Sequence, residues 1–195
     1  MPDLGKGLAA AAKKKELAHH DESSVAHYVG AMATLLVVHH SPTRSLQSLT
    51  DAVLAGAGDD SIEGVDVVVK HALEATADDV LAADGYLLGT TANFGYMSGA
   101  LKHFFDSTFL AVGGSLDDSG GTSVEGAGAT AKRPFGLYIH GRYDLTGAVR
   151  SVMSIVGALG WKQGYDVLEV LGEVTDADRE AAYELGGTIA ALLTT

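Results

Sequence analysis

The chain has 195 residues, enough for one compact domain and short for two. Its composition, 47% hydrophobic and 19% charged, can bury a core. Lys and Arg total 13 against 25 Asp and Glu, a net charge of -12, and there is no cysteine; these counts argue against nucleic acid and anionic membrane partners and exclude disulfides, thiolate catalysis and Cys-held metal centres.

Residues 1–32 are charge-balanced, with Lys6, Lys13, Lys14 and Lys15 against Asp3, Glu16, Asp21 and Glu22, so the whole -12 resides in residues 33–195. This first stretch is Ala/Lys-rich with little to bury and reads as an appendage, partly helical or disordered. Its lysines follow the small apolar run instead of preceding it, unlike a signal peptide. No apolar run approaches the roughly 18 residues of a membrane span. The expectation is a cytoplasmic chain with no membrane insertion.

After Met32 the pattern becomes regular. Leu35–Val38 is a continuous apolar run that ends at His39-His40-Ser41, and it predicts a first strand. A helix is expected from about Ser45, burying Leu46, Leu49, Val53 and Leu54 and closing at Gly56 and Gly58 as C-capping glycines. Val65–Val69 predicts the second strand, residues 77–83 a short helix, and Gly85–Gly89 the third strand. A helix from about Met97 carries Leu101, Phe104, Phe105 and Leu110. Residues 113–128 hold six glycines with Ser and Thr and no periodicity, a long surface loop read either as a subunit contact or lid or as a solvated segment. Phe135–Ile139 is the fourth strand, followed by a helix marked by Val149, Val152, Met153 and Val156. Val167–Leu171 is the fifth strand, and a closing helix starts near Asp176 with Thr175 as its N-cap.

Strands this apolar are covered on both faces, which predicts an α/β, three-layer, doubly wound sandwich on a five-stranded parallel sheet. Right-handed crossovers place loops 41–45, 90–96 and 140–145 on the carboxyl edge, where such sheets bind ligands. The first loop, with Ser41, Thr43, Arg44, Ser45 and Leu46, offers three hydroxyls at alternate positions before a helix start, a setting for an anion. The bland alternative is that Ser45 caps the helix and the others face water. No Walker or dinucleotide glycine motif is present. The second loop, Thr91-Ala92-Asn93-Phe94-Gly95-Tyr96-Met97, sets two aromatics beside glycine, which suits a flat conjugated ring; packing of Phe94 and Met97 under the loop is the simpler reading.

A hydroxyl loop after the first strand, combined with Gly89-Thr-Thr-Ala-Asn-Phe-Gly95-Tyr-Met-Ser-Gly99-Ala-Leu-Lys102-His-Phe-Phe-Asp106, resembles the flavodoxin superfamily, in its NAD(P)H-dependent FMN and quinone reductase branch, over roughly residues 33–195. The resemblance implies strand order 2-1-3-4-5 and FMN, with its phosphate on Ser41, Thr43 and Ser45 and its ring bordered by residues 92–96. It also implies a third loop, His140-Gly141-Arg142-Tyr143-Asp144, with Arg142 near the pyrimidine end of the ring or Tyr143 on a face. Arg44 and Ser45 stand where the family's first loop carries Gly-Asn, and Leu46 where it carries a last hydroxyl. The implied activity passes electrons from NAD(P)H through flavin to a quinone or similar small acceptor, in a homodimer or homotetramer. His140 is the candidate proton donor, against a structural role.

Carrier flavodoxins commonly flank the ring with Trp and Tyr, whereas the single Trp161 is expected toward the opposite edge of the sheet. That, with Arg142, favours hydride chemistry over a flavodoxin-type electron carrier, which is the alternative. A hydrolase using Ser98 and His140 is the rival enzyme, although Ser98 is one position out of the nucleophile-elbow register. The adjacent pairs His19-His20 and His39-His40 lack helical ligand spacing, so no metal is expected.

Overall fold

A computed structural model describes residues 32–114 and 128–195. The expectation for residues 1–31, and that for most of loop 113–128, lie outside the described residues. The elements are β1 (Ala33–His39), α1 (Arg44–Ala57), β2 (Val65–His71), α2 (Ala77–Ala82), β3 (Gly85–Asn93), β4 (Tyr96–Met97), α3 (Gly99–Thr108), β5 (Pro134–Gly141), α4 (Thr146–Ala158), β6 (Lys162–Gln163), β7 (Leu168–Leu171) and α5 (Asp176–Ala191).

The parallel sheet runs β2-β1-β3-β5, with β6 and β7 completing the far edge against the two ends of β5. This is the doubly wound α/β fold expected. Alternation along β1 feeds both cores: Leu35 and Val37 pack with Leu46, Leu49, Val53, Leu185 and Ile189 from α1 and α5. Leu36 and Val38 pack on the other face with Val80, Leu101, Phe104 and Val152 from α2, α3 and α4. Both faces of the strand are dry, which is why it reads as unbroken apolar sequence.

Three details differ from the sequence expectation. The fifth strand is divided: between the pairs Phe135↔Gln163 and Tyr138↔Leu168 the edge spends two residues more than β5, which breaks the ladder as a bulge does. The helix after β3 starts at Gly99, not Met97, because Met97 is taken by a β3–β4 hairpin and Ser98 caps the helix through its bond from the Leu101 N–H, 3.2 Å. Leu110 lies past that helix and is 63% exposed. Gly56 is not a C-cap either; a Cβ there would sit 1.9 Å from the Tyr183 carbonyl oxygen, so it lets α1 and α5 cross closely, and Gly58 alone ends α1.

Trp161 stacks on Tyr86 with ring centroids 3.8 Å apart and donates Nε1–H to Thr130. Tyr86 opens β3, so the indole lies at the amino edge of the sheet, away from the three loops, as expected. No helix among the described residues is long and apolar enough to cross a membrane.

Candidate functional site

Three loops converge at the carboxyl ends of β1, β3 and β5 around a cleft of about 580 Å³. Thr43 and Ser45 line it from the first loop, residues 91–95 from the second, and His140, Gly141, Arg142, Tyr143 and Asp144 from the third. Asp144 belongs to the third loop but has no ligand role from sequence; its carboxylate accepts the Thr146 N–H at the start of α4 at 2.9 Å, which holds its pKa below the usual carboxylate range.

The first loop turns into α1 with Thr43 as N-cap, its Oγ1 accepting the Leu46 N–H at 3.3 Å. Thr43, not Ser45, does the capping. Leu46 is fully buried in the α1–α5 core and offers the cleft nothing but backbone. Arg44 is the exposed first residue of α1 and does not line the cleft. Ser41 is turned away from the expected phosphate position: its Oγ lies 2.8 Å from Thr50 Oγ1 and 3.1 Å from His39 Nδ1. The reach of Thr50 into the core, where its hydroxyl meets Tyr138 OH at 3.0 Å, draws Ser41 inward.

What remains for an anion is the helix start itself. The amides of the first turn have no intrahelical partner, and the helix dipole places positive potential there. The first turn of α1 carries no acid, whereas α2 has Asp78 and Asp79 and α5 has Asp176 and Asp178 in theirs.

The second loop is a two-residue hairpin. Asn93 pairs with Tyr96, and Phe94 and Gly95 form the turn with φ of 52° and 77°. Two positive φ values are what the natural twist of a tight hairpin requires. Glycine adopts them freely, and phenylalanine does so under strain. Phe94 is nonetheless fully exposed, so no packing offsets that strain within the described structure. The simpler reading, Phe94 packed under the loop, fails; for Met97, 2% exposed, it holds. Tyr96 borders a neighbouring groove between α3 and α4 instead of the cleft. Gly147 of α4 abuts the turn, and a Cβ on it would lie 2.1 Å from the Gly95 carbonyl oxygen.

From the third loop Tyr143 projects into solvent, 93% exposed. Arg142 pairs with Glu173 at 3.1 Å, both side chains mostly exposed, so its charge is partly met by acid and only loosely fixed. His140 is 4% exposed, its Nε2 bonded to the Gly172 carbonyl at 2.8 Å, a role that holds the loop after β7 against β5. Ser98 is buried and spends its hydroxyl on the α3 cap, and the partner of His140 is a carbonyl, so the hydrolase pairing is not formed. Among the described residues no three His, Asp or Glu side chains converge as a metal site.

One buried polar atom in the cleft wall has no partner: Thr91 Oγ1. A buried hydroxyl left unpaired is costly, and at a cleft wall it is an available donor or acceptor for a ligand. The cleft therefore combines an anion-ready helix start, an orphan hydroxyl and two exposed aromatics on its rim. Those groups fit a ligand with an anionic tail and a planar polar ring.

No protein-family model matches the chain. Over 86 residues it is 37% identical to a flavodoxin of Aquifex aeolicus (strain VF5), a match covering 44% of this chain and 45% of that protein, so less than half of the relative's length is spanned. A flavodoxin from the domain Archaea superposes with a TM-score of 0.66 at 18% identity, over 83% of this chain and 99% of that one. An NADH:FMN oxidoreductase in its apo form superposes with a TM-score of 0.60 at 13% identity, over 83% of this chain and 90% of that one. The fold is flavodoxin-like.

Proposed function

We propose that the chain binds FMN in this cleft and passes electrons from NAD(P)H to a quinone or similar small acceptor. The observation that carries the reading is the pairing, at one sheet edge, of an acid-free α1 start with the strained and fully exposed Phe94. The phosphate would be held by the amides of the first turn of α1 with Thr43 and Ser45, and the ring bordered by residues 91–95 and 140–143. Phe94 and Tyr143 would cover apolar ring faces and exclude water from them. Thr91 Oγ1 would gain the hydrogen-bond partner it lacks. Bound there, FMN would supply hydride acceptance and stepwise electron release, chemistry the protein positions and screens. His140 keeps its structural bond to Gly172, and no acid–base residue is required of the chain.

The neighbouring groove of about 750 Å³, floored by Phe105, Phe109 and Ile155 with Leu110 exposed beside it, supports assembly into a homodimer or homotetramer through α3 and α4. The likeness to an NADH:FMN oxidoreductase supports the reductase reading at the level of fold. The sequence match to a flavodoxin favours the second reading, an electron carrier served by a separate reductase.

The test is the absorption spectrum of the purified protein, alone and with added FMN, then anaerobic mixing with NADH and NADPH. Flavin bands that bleach rapidly with either nucleotide support the reductase. Bleaching that waits on a partner reductase supports the carrier, and failure to bind FMN removes both.

A further inference from the structure

The two edges of the sheet are unlike. The far edge is divided between β6 and β7, of two and four residues, short and broken in the way that discourages pairing. The near edge is β2, seven residues in unbroken register with β1 and without proline. Among the described residues no strand pairs with its outer side.

The ladder with β1 determines which backbone groups of β2 remain available. The Ala33 N–H donates to the Gly64 carbonyl and the Ala72 N–H to the His39 carbonyl, both at 2.8 Å. Alternate residues of a parallel strand turn to the same neighbour. Asp66, Val68 and Lys70 therefore bond to β1, while Val67 and Val69 direct N–H and C=O outward. The His71 carbonyl is taken by the Glu74 N–H at 2.8 Å, which closes the open stretch. Val69 is 42% exposed, and Asp66, also exposed, has no cation at ion-pair distance among the described residues.

The strand Val65-Asp66-Val67-Val68-Val69-Lys70-His71 is symmetric in charge about Val68: a valine on either side, then a carboxylate and an ammonium two residues away. A second copy laid antiparallel, Val68 opposite Val68, sets Val67 against Val69. Both direct their amides outward, so they form a hydrogen-bonded pair. Asp66 then faces Lys70 in a non-hydrogen-bonded pair, where side chains approach most closely. The two-fold axis repeats both contacts. Slipped registers that keep the outward amides paired lose this match. The nearest two set Asp66 or Lys70 against Val68, and the next two set Asp66 against Asp66 or Lys70 against Lys70. Lysine on an edge ordinarily deters pairing; here it does so in the slipped registers and is met by acid in the central one.

We propose that β2 is a self-association edge, through which two copies of this chain join their sheets about a two-fold axis at Val68. Val69 of one copy is covered by Val67 of the other, and Lys70, already 3.2 Å from Asp79 Oδ1, gains the Asp66 carboxylate of the second copy. The inference is independent of FMN and of the α3–α4 face. Used alone this edge gives a dimer; combined with that face it gives a tetramer.

The experiment is sedimentation equilibrium of the full chain over a range of concentrations, with thermal melts to establish folding. Wild type should associate. Asp66→Lys and Lys70→Glu each set like charges opposite one another twice, and each should weaken this association at least about tenfold, halving the mass. An equimolar mixture of the two should regain the wild-type mass, because the introduced lysine meets the introduced glutamate and native Lys70 meets native Asp66. Val69→Pro changes no charge and removes an N–H that bonds to nothing in β1, so it should keep the fold and dissociate the assembly. A wild type that is monomeric throughout overturns the proposal. So do folded variants that retain the wild-type mass, which would assign assembly to another face, and a mixture of folded charge variants that stays dissociated.

Discussion

Replacing Phe94 by asparagine separates what the hairpin turn costs the fold from what it gives the site. Phe94 holds φ at 52° with its ring wholly in solvent, so truncation removes no buried area. A left-handed backbone costs an ordinary L-residue about 1–2 kcal/mol, and asparagine tolerates it with little strain, as its frequency before glycine in such turns shows. Phe94→Asn should therefore stabilise the ligand-free protein by about 1 kcal/mol, a rise in Tm of about 2–4 °C for a domain of this size. Binding should move the other way. Loss of an aromatic face against the ring is worth about 1–2 kcal/mol, a five- to thirtyfold weaker FMN by flavin fluorescence titration. A thermal melt without ligand and a titration with it measure both quantities on one preparation. A variant that melts lower than wild type, or that binds FMN as wild type does, refutes the reasoning that strain is retained at Phe94 for the ring.

Thr43→Ala removes the α1 N-cap and should cost about 1 kcal/mol of stability by urea denaturation, while weakening FMN more than riboflavin because only FMN reaches the helix start; equal losses would contradict the placement of the phosphate. In α4, Gly147→Ala should displace the Gly95 carbonyl it would touch and weaken FMN severalfold, while Gly157→Ala, with open space around it, should add about 0.5 kcal/mol to stability and leave binding unchanged. His39 and His40 both have pKa values lowered by burial, so the folded protein binds fewer protons than the unfolded chain. Its stability should be complete above the unfolded histidine pKa of about 6.5 and should fall as pH drops below it, a slope that urea midpoints would measure and that His39→Asn should flatten.

Much of the architecture was legible because its cause is local. The runs Leu35–Val38 and Phe135–Ile139 are apolar on both faces since helices cover both, and that pattern alone specifies a doubly wound sheet. Thr175 announced the start of α5 by its own chemistry, accepting the Asp178 N–H in a capping box. What stayed hidden depended on partners distant in the chain. Ser41 turns inward because of Thr50 and Tyr138, the latter pair 88 residues apart. The charge of Arg142 is met by Glu173, which belongs to the loop after the split edge strand. The division of that strand exists only relative to β5, through two surplus residues. Gly95 signalled a turn, but nothing local says that Phe94 would hold the other left-handed position.

The same distinction bears on how the cleft would hold an anion in a protein of net charge -12. Its obvious cations do not serve: Arg44 lies outside the cleft and Arg142 is paired on the surface. The positive potential that remains comes from the first-turn amides of α1, a helix that follows β1, the strand between β2 and β3, without an acid in its first turn. The helices following β2 and β7 carry aspartates in that turn, which neutralise their dipoles and cap their amides. The first turns of α3 and α4 are acid-free as well, but α4 follows the carboxylate of Asp144, whereas the loop into α1 brings Thr43 and Ser45 to the cleft with no acid beside them. A site made this way relies on backbone amides and hydroxyls, with the one guanidinium that lines it, Arg142, already engaged by Glu173.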